Sequence, residues 1–591
     1  MPFTTIARFA RMVPAALLLA AAPLPVAAEG VFGSYLAAEH AARLGDVVAA
    51  AKRYERALAQ DPKNLTLMER ALTHRLASGG IEPATALARQ LVEAGGEQIR
   101  SHIAALTLAT AALRKGDGAA ALTALDGEEA DRGGFVAVLM RPWARAVSGD
   151  IEGAREMLVS LEEGGVGGPA GRYLAAYHQG LLAGLEGDDA AAVAAFERAR
   201  SEAGSTTRRL VNAQARSLAR LARTDEARAL LDGFEGARYS NPAISRLSAD
   251  IAAGDVPDPL VTTAQHGAAE ALYGLARYMM SGDNRLVGFG YLRLATHLRP
   301  GFIDAHLLLA EQFVETERFA LAVRAYDAVP ESAPEALEAR IGRAAALDGE
   351  GKAEEAIQAL RAVVARWPNE IEAHRALGDL LRQSERFEEA AEAYDGAIAL
   401  IDAAENRHWP LYFRRGIALE RSKQWPRAEA DFRKALELEP DQPLVLNYLG
   451  YSWVEMGMNL DEARTMIETA VENRPGDGYI VDSLGWVLYR LGDFDGAVEH
   501  LGRAVELKPV DPVINDHFGD ALWMVGRKTE ARFQWHRALS FDPEADVEAR
   551  ILKKLEVGLD EVLAEEAAAG KPAIIGRTEE APEPASANDG G

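Results

Sequence analysis

From Gly478 the small and apolar residues return at fixed intervals. In "GYIVDSLGWVLYRLGDFDGAVEHLGRAVELKP", Leu484, Gly485 and Leu488 share one helical face, because steps of three to four residues come back to the same side. Ala497, Leu501 and Ala504 do the same for a second helix, and Gly492 between them permits a sharp turn. Pro509 ends the second helix. Counting from Gly478, these residues occupy positions 7, 8, 11, 20, 24, 27, 15 and 32 of a unit. Shifted by 34 residues, Phe518, Gly519, Leu522, Ala531, Trp535, Ala538, Gly526 and Pro543 take the same places.

The phase continues backwards, with units starting at 269, 303, 337, 371, 409, 443, 478 and 512. Four extra residues precede the unit at 409 and one lies inside the unit at 443. Position 20 is Gly or Ala in every unit, and position 32 is Pro in all but the unit holding Asp402. Small residues at 8 and 20 let two helix backbones approach, and large residues at 11 and 24 fill the space beside them. The pattern predicts an all-α solenoid of helix-turn-helix repeats, about eight of them over 269–545.

Residues 29–252 read as a weaker copy. Gly45, Ala50, Tyr54 and Pro62 fit one unit, and Gly79, Gly116, Gly149 and Gly187 mark later turns, with Ala where the other array has aromatics. The segment 253–268 carries two prolines and little periodicity, so it is expected to join the halves. Residues 546–569 keep helical spacing without the repeat signature, as a cap for the open end. The stretch 570–591 is rich in Pro, Glu and Gly and is expected to be a disordered acidic tail.

The first 28 residues place Arg8 and Arg11 before a short apolar stretch and end in Val26-Ala27-Ala28. That is the pattern of an export signal cleaved after Ala28, and it predicts a periplasmic location. No later segment is apolar for long enough to span a bilayer. A net charge of −25 with no basic block argues against a nucleic-acid partner. With no Cys, neither disulfides nor thiolate metal sites are available, and packing alone must hold an exported chain together.

The 34-residue unit resembles the tetratricopeptide repeat family, which implies a right-handed superhelix. In that family a concave groove is lined mostly by first-helix positions 2, 5, 9, 12 and 13. Carried over by phase, these positions include Asn447, Tyr451, Tyr479, Asp482, Trp486, Tyr489, Asp516, Asp520 and Trp523. Aromatics beside carboxylates would suit a peptide with apolar and basic side chains, although Trp486 and Trp523 could equally fill the packing between repeats. The family's clamp for a chain-terminal carboxylate needs a Lys pair, and the corresponding Asn447, Ser483, Val513 and His517 lack it. Residues 446–509 further resemble the C-terminal repeats of bacterial envelope proteins, some of which are outer-membrane lipoproteins that present cell-wall hydrolases to carboxyl-terminal processing proteases. That resemblance implies an envelope scaffold of a Gram-negative bacterium, here without the lipid-bearing Cys.

No catalytic motif in the sequence is complete. No HExxH occurs, and His306 and His374 fall at packing position 4. "ALDGEGKA" at 346–353 imitates a phosphate loop but places Gly351 at the inter-helix turn and Ala353 where Ser or Thr should bind magnesium. "GYSWV" at 450–454 lacks the closing Gly of a nucleophile elbow. The expectation is a non-catalytic interaction scaffold with no cofactor or metal, binding envelope proteins or peptide segments. A scaffold for secretion or exopolysaccharide export is the alternative, and an enzyme with an unrecognised site is the rival of another class.

Overall fold

The computed structural model describes residues 30–569, apart from 96–100, 127–134, 166, 203, 205, 236–240, 281 and 283. The expected signal at 1–28 and the acidic tail at 570–591 lie outside the described residues. Those described fold into antiparallel helix pairs, with no strand among them. They form two compact units, divided between Trp367 and Pro368.

The second unit shows why the 34-residue spacing works. Its pairs are Ile371–Gln383 with Phe387–Ala399, Trp409–Arg421 with Trp425–Leu438, Pro443–Met456 with Leu460–Asn473, Gly478–Leu491 with Phe494–Leu507, and Pro512–Met524 with Lys528–Leu539. A hairpin of Ala545–Val557 and Leu559–Ala568 follows. In each pair position 8 is Gly, and position 24 of the partner helix lies where a side chain on it would go. A Cβ on Gly485 would sit 2.5 Å from Leu501 Cγ, one on Gly416 2.6 Å from the Phe432 ring, and one on Gly378 2.6 Å from the Tyr394 ring. Position 15 adopts the left-handed conformation in the units that start at 303, 337, 371, 409, 443, 478 and 512. Gly351, Gly457, Gly492 and Gly526 fill it at no steric cost, whereas Glu317, Glu385 and Lys423 are held there at φ 58°, 60° and 63°.

The first unit begins with pairs that match the weaker copy. Gly45, Gly79, Gly116, Gly149 and Gly187 all sit at inter-helix turns with positive φ. The first helices of these pairs include Leu65–Ala77, His102–Arg114, Phe135–Val147, Gly168–Glu186 and Arg208–Arg220.

The expected joint at 253–268 does not separate two bodies. Leu260 and Val261 are buried, and Ala264–Met279 is already helix. With Arg285–Leu298, it packs back onto the first helices of the preceding pairs. Gly267 lies directly on the Trp143 ring, where no Cβ would fit, and Gly290 meets Leu76. His102 Nε2 lies 2.6 Å from the Tyr291 hydroxyl. Glu270, buried, is paired with Arg209 and lies 3.2 Å from Arg299, and Arg209 reaches Asp304 at 2.6 Å. The pair at 264–298 therefore has two jobs: it starts the regular array and fills the face of the weaker one. Proline content marks the break in periodicity correctly, but the tertiary contacts that carry the chain across it have no local signature.

Candidate protein-interaction groove

The nine groove residues expected from phase do come together, on consecutive first helices of the second unit. Eight of them are buried, with Asp520 and Tyr489 at 0% and 1% exposure; Tyr479 alone is half-buried. They form an internal polar strip in place of an open lining. Glu455 Oε1 accepts from Trp486 Nε1 at 2.8 Å and from Arg490 Nη1 at 3.3 Å. The Trp486 ring stacks on His517 with centroids 4.0 Å apart and on Tyr489 at 4.8 Å. His517 Nδ1 lies 3.0 Å from Asp482. Burial disfavours the imidazolium, but Asp482, with Asp516 and Asp520, outweighs that effect and raises the His517 pKa above its ordinary value.

Neighbouring repeats close the strip along most of its length, and the terminal hairpin closes its end at Asp516, Asp520 and Trp523. Lys554, with no exposed surface, donates to Asp516 at 2.8 Å and to Asp520 at 2.6 Å. Arg550 donates to Asp520 at 3.0 Å and to Glu566 at 2.9 Å. Trp535 Nε1 takes the same Asp520 oxygen that Lys554 uses, and Trp523 Nε1 donates to Asp560. Continuing the 34-residue count, Arg550 and Lys554 stand at positions 5 and 9 of a unit that would start at 546. The carboxylates do hold basic side chains, as their pattern implied, but the chain itself supplies them. Trp486 and Trp523 accordingly pack between repeats, and Tyr489, expected to line the groove, is interior.

Accessible lining lies in the two preceding repeats, at the same phase. Asp379, Arg382, Phe413, Ile417, Glu420 and Arg421 are all half-buried on Ile371–Gln383 and Trp409–Arg421. Their positions are fixed from below. Tyr394 donates to Asp379 at 2.7 Å, Tyr448 donates to Glu420 at 3.1 Å, and Phe413 meets Tyr448 edge-on at 5.9 Å. Arg421 lies over the Phe387 ring at 4.7 Å. Sequence reasoning passed over these residues because it followed the tryptophans; applying the phase to the units at 371 and 409 finds them.

The first unit holds a separate cleft of about 390 Å³, walled by Arg208, Arg277, Tyr273, Leu307, Glu311 and Glu338 among others. Among the described residues, no group of three or more His, Asp or Glu side chains is placed to hold a metal ion, and no helix is long and apolar enough to cross a membrane.

Models of one repeat family match residues 307–371, 348–407, 457–512 and 483–546, and a second model of the same family matches 409–442. These are tetratricopeptide repeats. The chain is 29% identical over 171 residues to a tetratricopeptide repeat-containing protein of Pseudomonas aeruginosa, across 29% of this chain and 28% of that protein. It is 26% identical over 212 residues to the aspartyl/asparaginyl beta-hydroxylase of Mus musculus, across 34% of this chain and 28% of that one. The chain thus spans under a third of the length of these curated relatives. Among solved structures, it is similar to the Cut9–Hcn1 hetero-tetramer of the APC/C at 14% identity and a TM-score of 0.36, covering 89% of this chain and 96% of that one. It is also similar to YrrB, described as a tetratricopeptide protein with an unusual peptide-binding site, at 19% identity and a TM-score of 0.27, covering 33% of this chain and 99% of that one. Tetratricopeptide repeats bind peptides or proteins, and proteins built from them act as interaction scaffolds.

Proposed function

We propose that this chain is a non-catalytic scaffold exported to the periplasm of a Gram-negative bacterium, where it holds one envelope protein beside another. Presentation of substrates to an envelope protease is the specific form its C-terminal repeats resemble. The observation that carries the scaffold reading is the contrast along one face of the second unit. The last three repeats fill their first-helix positions with their own residues, whereas Phe413, Ile417 and Arg421 stay half-exposed. An aromatic, an aliphatic and an arginine held in place are what a protein interface uses as anchors. The hydroxylases match over too small a part of their length to bring their chemistry with them.

Affinity capture from envelope fractions tests the reading. Ile417→Glu together with Arg421→Glu is expected to lose the partner that the wild-type chain retains, while circular dichroism stays unchanged. Retention of the same partner by the double variant would remove this face from the interface. Export is tested by N-terminal sequencing of protein from the periplasm, which is expected to begin at Glu29; a full-length chain recovered from the cytoplasm would refute it.

A further inference from the structure

Arg490 is 6% exposed, yet its Nε and Nη2 have no hydrogen-bond partner. Only Nη1 is engaged, by Glu455 at 3.3 Å. The Nε and Nη2 hydrogens lie along one edge of the planar guanidinium, and that edge is the one that takes a carboxylate through two parallel bonds. Leaving a buried charged donor unmet is costly, and few native groups do so without a role. The rest of the neighbourhood prepares the edge for use. Glu455 ties down the far nitrogen and is itself fixed by Trp486. Tyr451 stands close enough for the Arg490 charge to act on its hydroxyl. The Glu455 side chain is 40% exposed, so solvent reaches this side of the strip.

We propose that the free edge of Arg490 is a receptor for a carboxylate presented by a partner segment in the groove of the second unit. The inference rests on the scaffold reading and gives its partner a chemistry: an acidic contact at Arg490, in the same run of first helices that carries Ile417 and Arg421. Both nitrogens are closed over in the free chain, so entry requires a neighbouring side chain to turn aside. This arrangement differs from the Lys-pair clamp that the sequence lacks, since one preset guanidinium does the work of two flexible ammonium groups.

The test uses the full mature chain with N-acetylglycine, which carries a main-chain carboxylate, and the α-amide of N-acetylglutamate, which carries a side-chain one. N-acetylglycinamide and chloride at equal ionic strength are the controls. Carboxylates, and not the controls, are expected to raise the melting temperature, and the stronger of the two identifies the source. Arg490→Met is expected to abolish the response while leaving the ligand-free melting temperature equal or higher, because it removes an unmet buried charge. Arg490→Lys keeps the charge but loses the fork, and is expected to bind ~10-fold more weakly. A purely structural Arg490 would give a lower melting temperature in the Met variant and an unchanged carboxylate response in the Lys variant, which overturns the proposal. A wild-type chain indifferent to both carboxylates also overturns it, while the scaffold reading stands or falls separately on the envelope capture of the Ile417 and Arg421 variant.

Discussion

Lys554 is the only buried lysine among the described residues, and its ammonium is shared by Asp516 and Asp520. Removing the ammonium leaves two buried carboxylates with only Arg550 as a cationic partner, at a cost of up to ~3–5 kcal/mol. Lys554→Ala is therefore expected to destabilise the second unit by about that much, whereas Lys553→Ala, whose pair with Glu565 is exposed, should change stability by ~0–1 kcal/mol. Urea denaturation of the two variants side by side reads the difference. His517 gives a pH signature. Its folded pKa is raised, so its contribution to stability is complete below the unfolded value of about 6.5 and is lost as pH rises through the folded value. His517→Asn is expected to lower the melting temperature more at pH 6 than at pH 9, and an equal loss at both would show that the Asp482 contact is not ionic. At this scale the chemistry was legible and its source was not. Asp516 and Asp520 announce a basic partner, but nothing in the local spelling of "EARILKKLEV" says that the partner is already in the chain.

Each helix pair turns on a handful of sites whose roles were readable in advance: small residues at 8 and 20, bulk at 24, Pro at 32. They could be read because the constraint is steric and local, and repeats eight times. Position 15 is the exception that the sequence half concealed. Three regular units place Glu317, Glu385 or Lys423 in a backbone region that L-residues with a side chain enter at a cost of ~1–2 kcal/mol. Lys423→Gly is expected to stabilise its pair by up to ~1 kcal/mol, net of the entropy glycine loses on folding. An unchanged or lowered melting temperature would mean that the Lys423 side chain contributes something the backbone strain hides. The weaker N-terminal pairs kept their turn glycines, which is why their helices could be placed. Their boundary with the regular repeats could not, because the residues that erase it, Trp143 with Gly267 and His102 with Tyr291, are far apart in sequence.

For the whole molecule, the division between units decides how the chain can be cut. A fragment starting at 269 would leave Leu272, Tyr291 and Leu292 without the helices that bury them. It is expected to aggregate, whereas a fragment of residues 368–591 should melt cooperatively and elute as a discrete species by size-exclusion chromatography. Two well-behaved fragments, or two aggregating ones, would contradict the assigned division. The same back-packing also sets a clock. Trp143 emerges from the ribosome about 150 residues before Leu298 completes the pair that covers it, an interval of ~8–30 s at ordinary rates of synthesis. For that time the nascent N-terminal helices exist with their receiving face unfilled. Whatever accompanies the chain during its making has a hydrophobic surface to guard that the finished protein no longer displays.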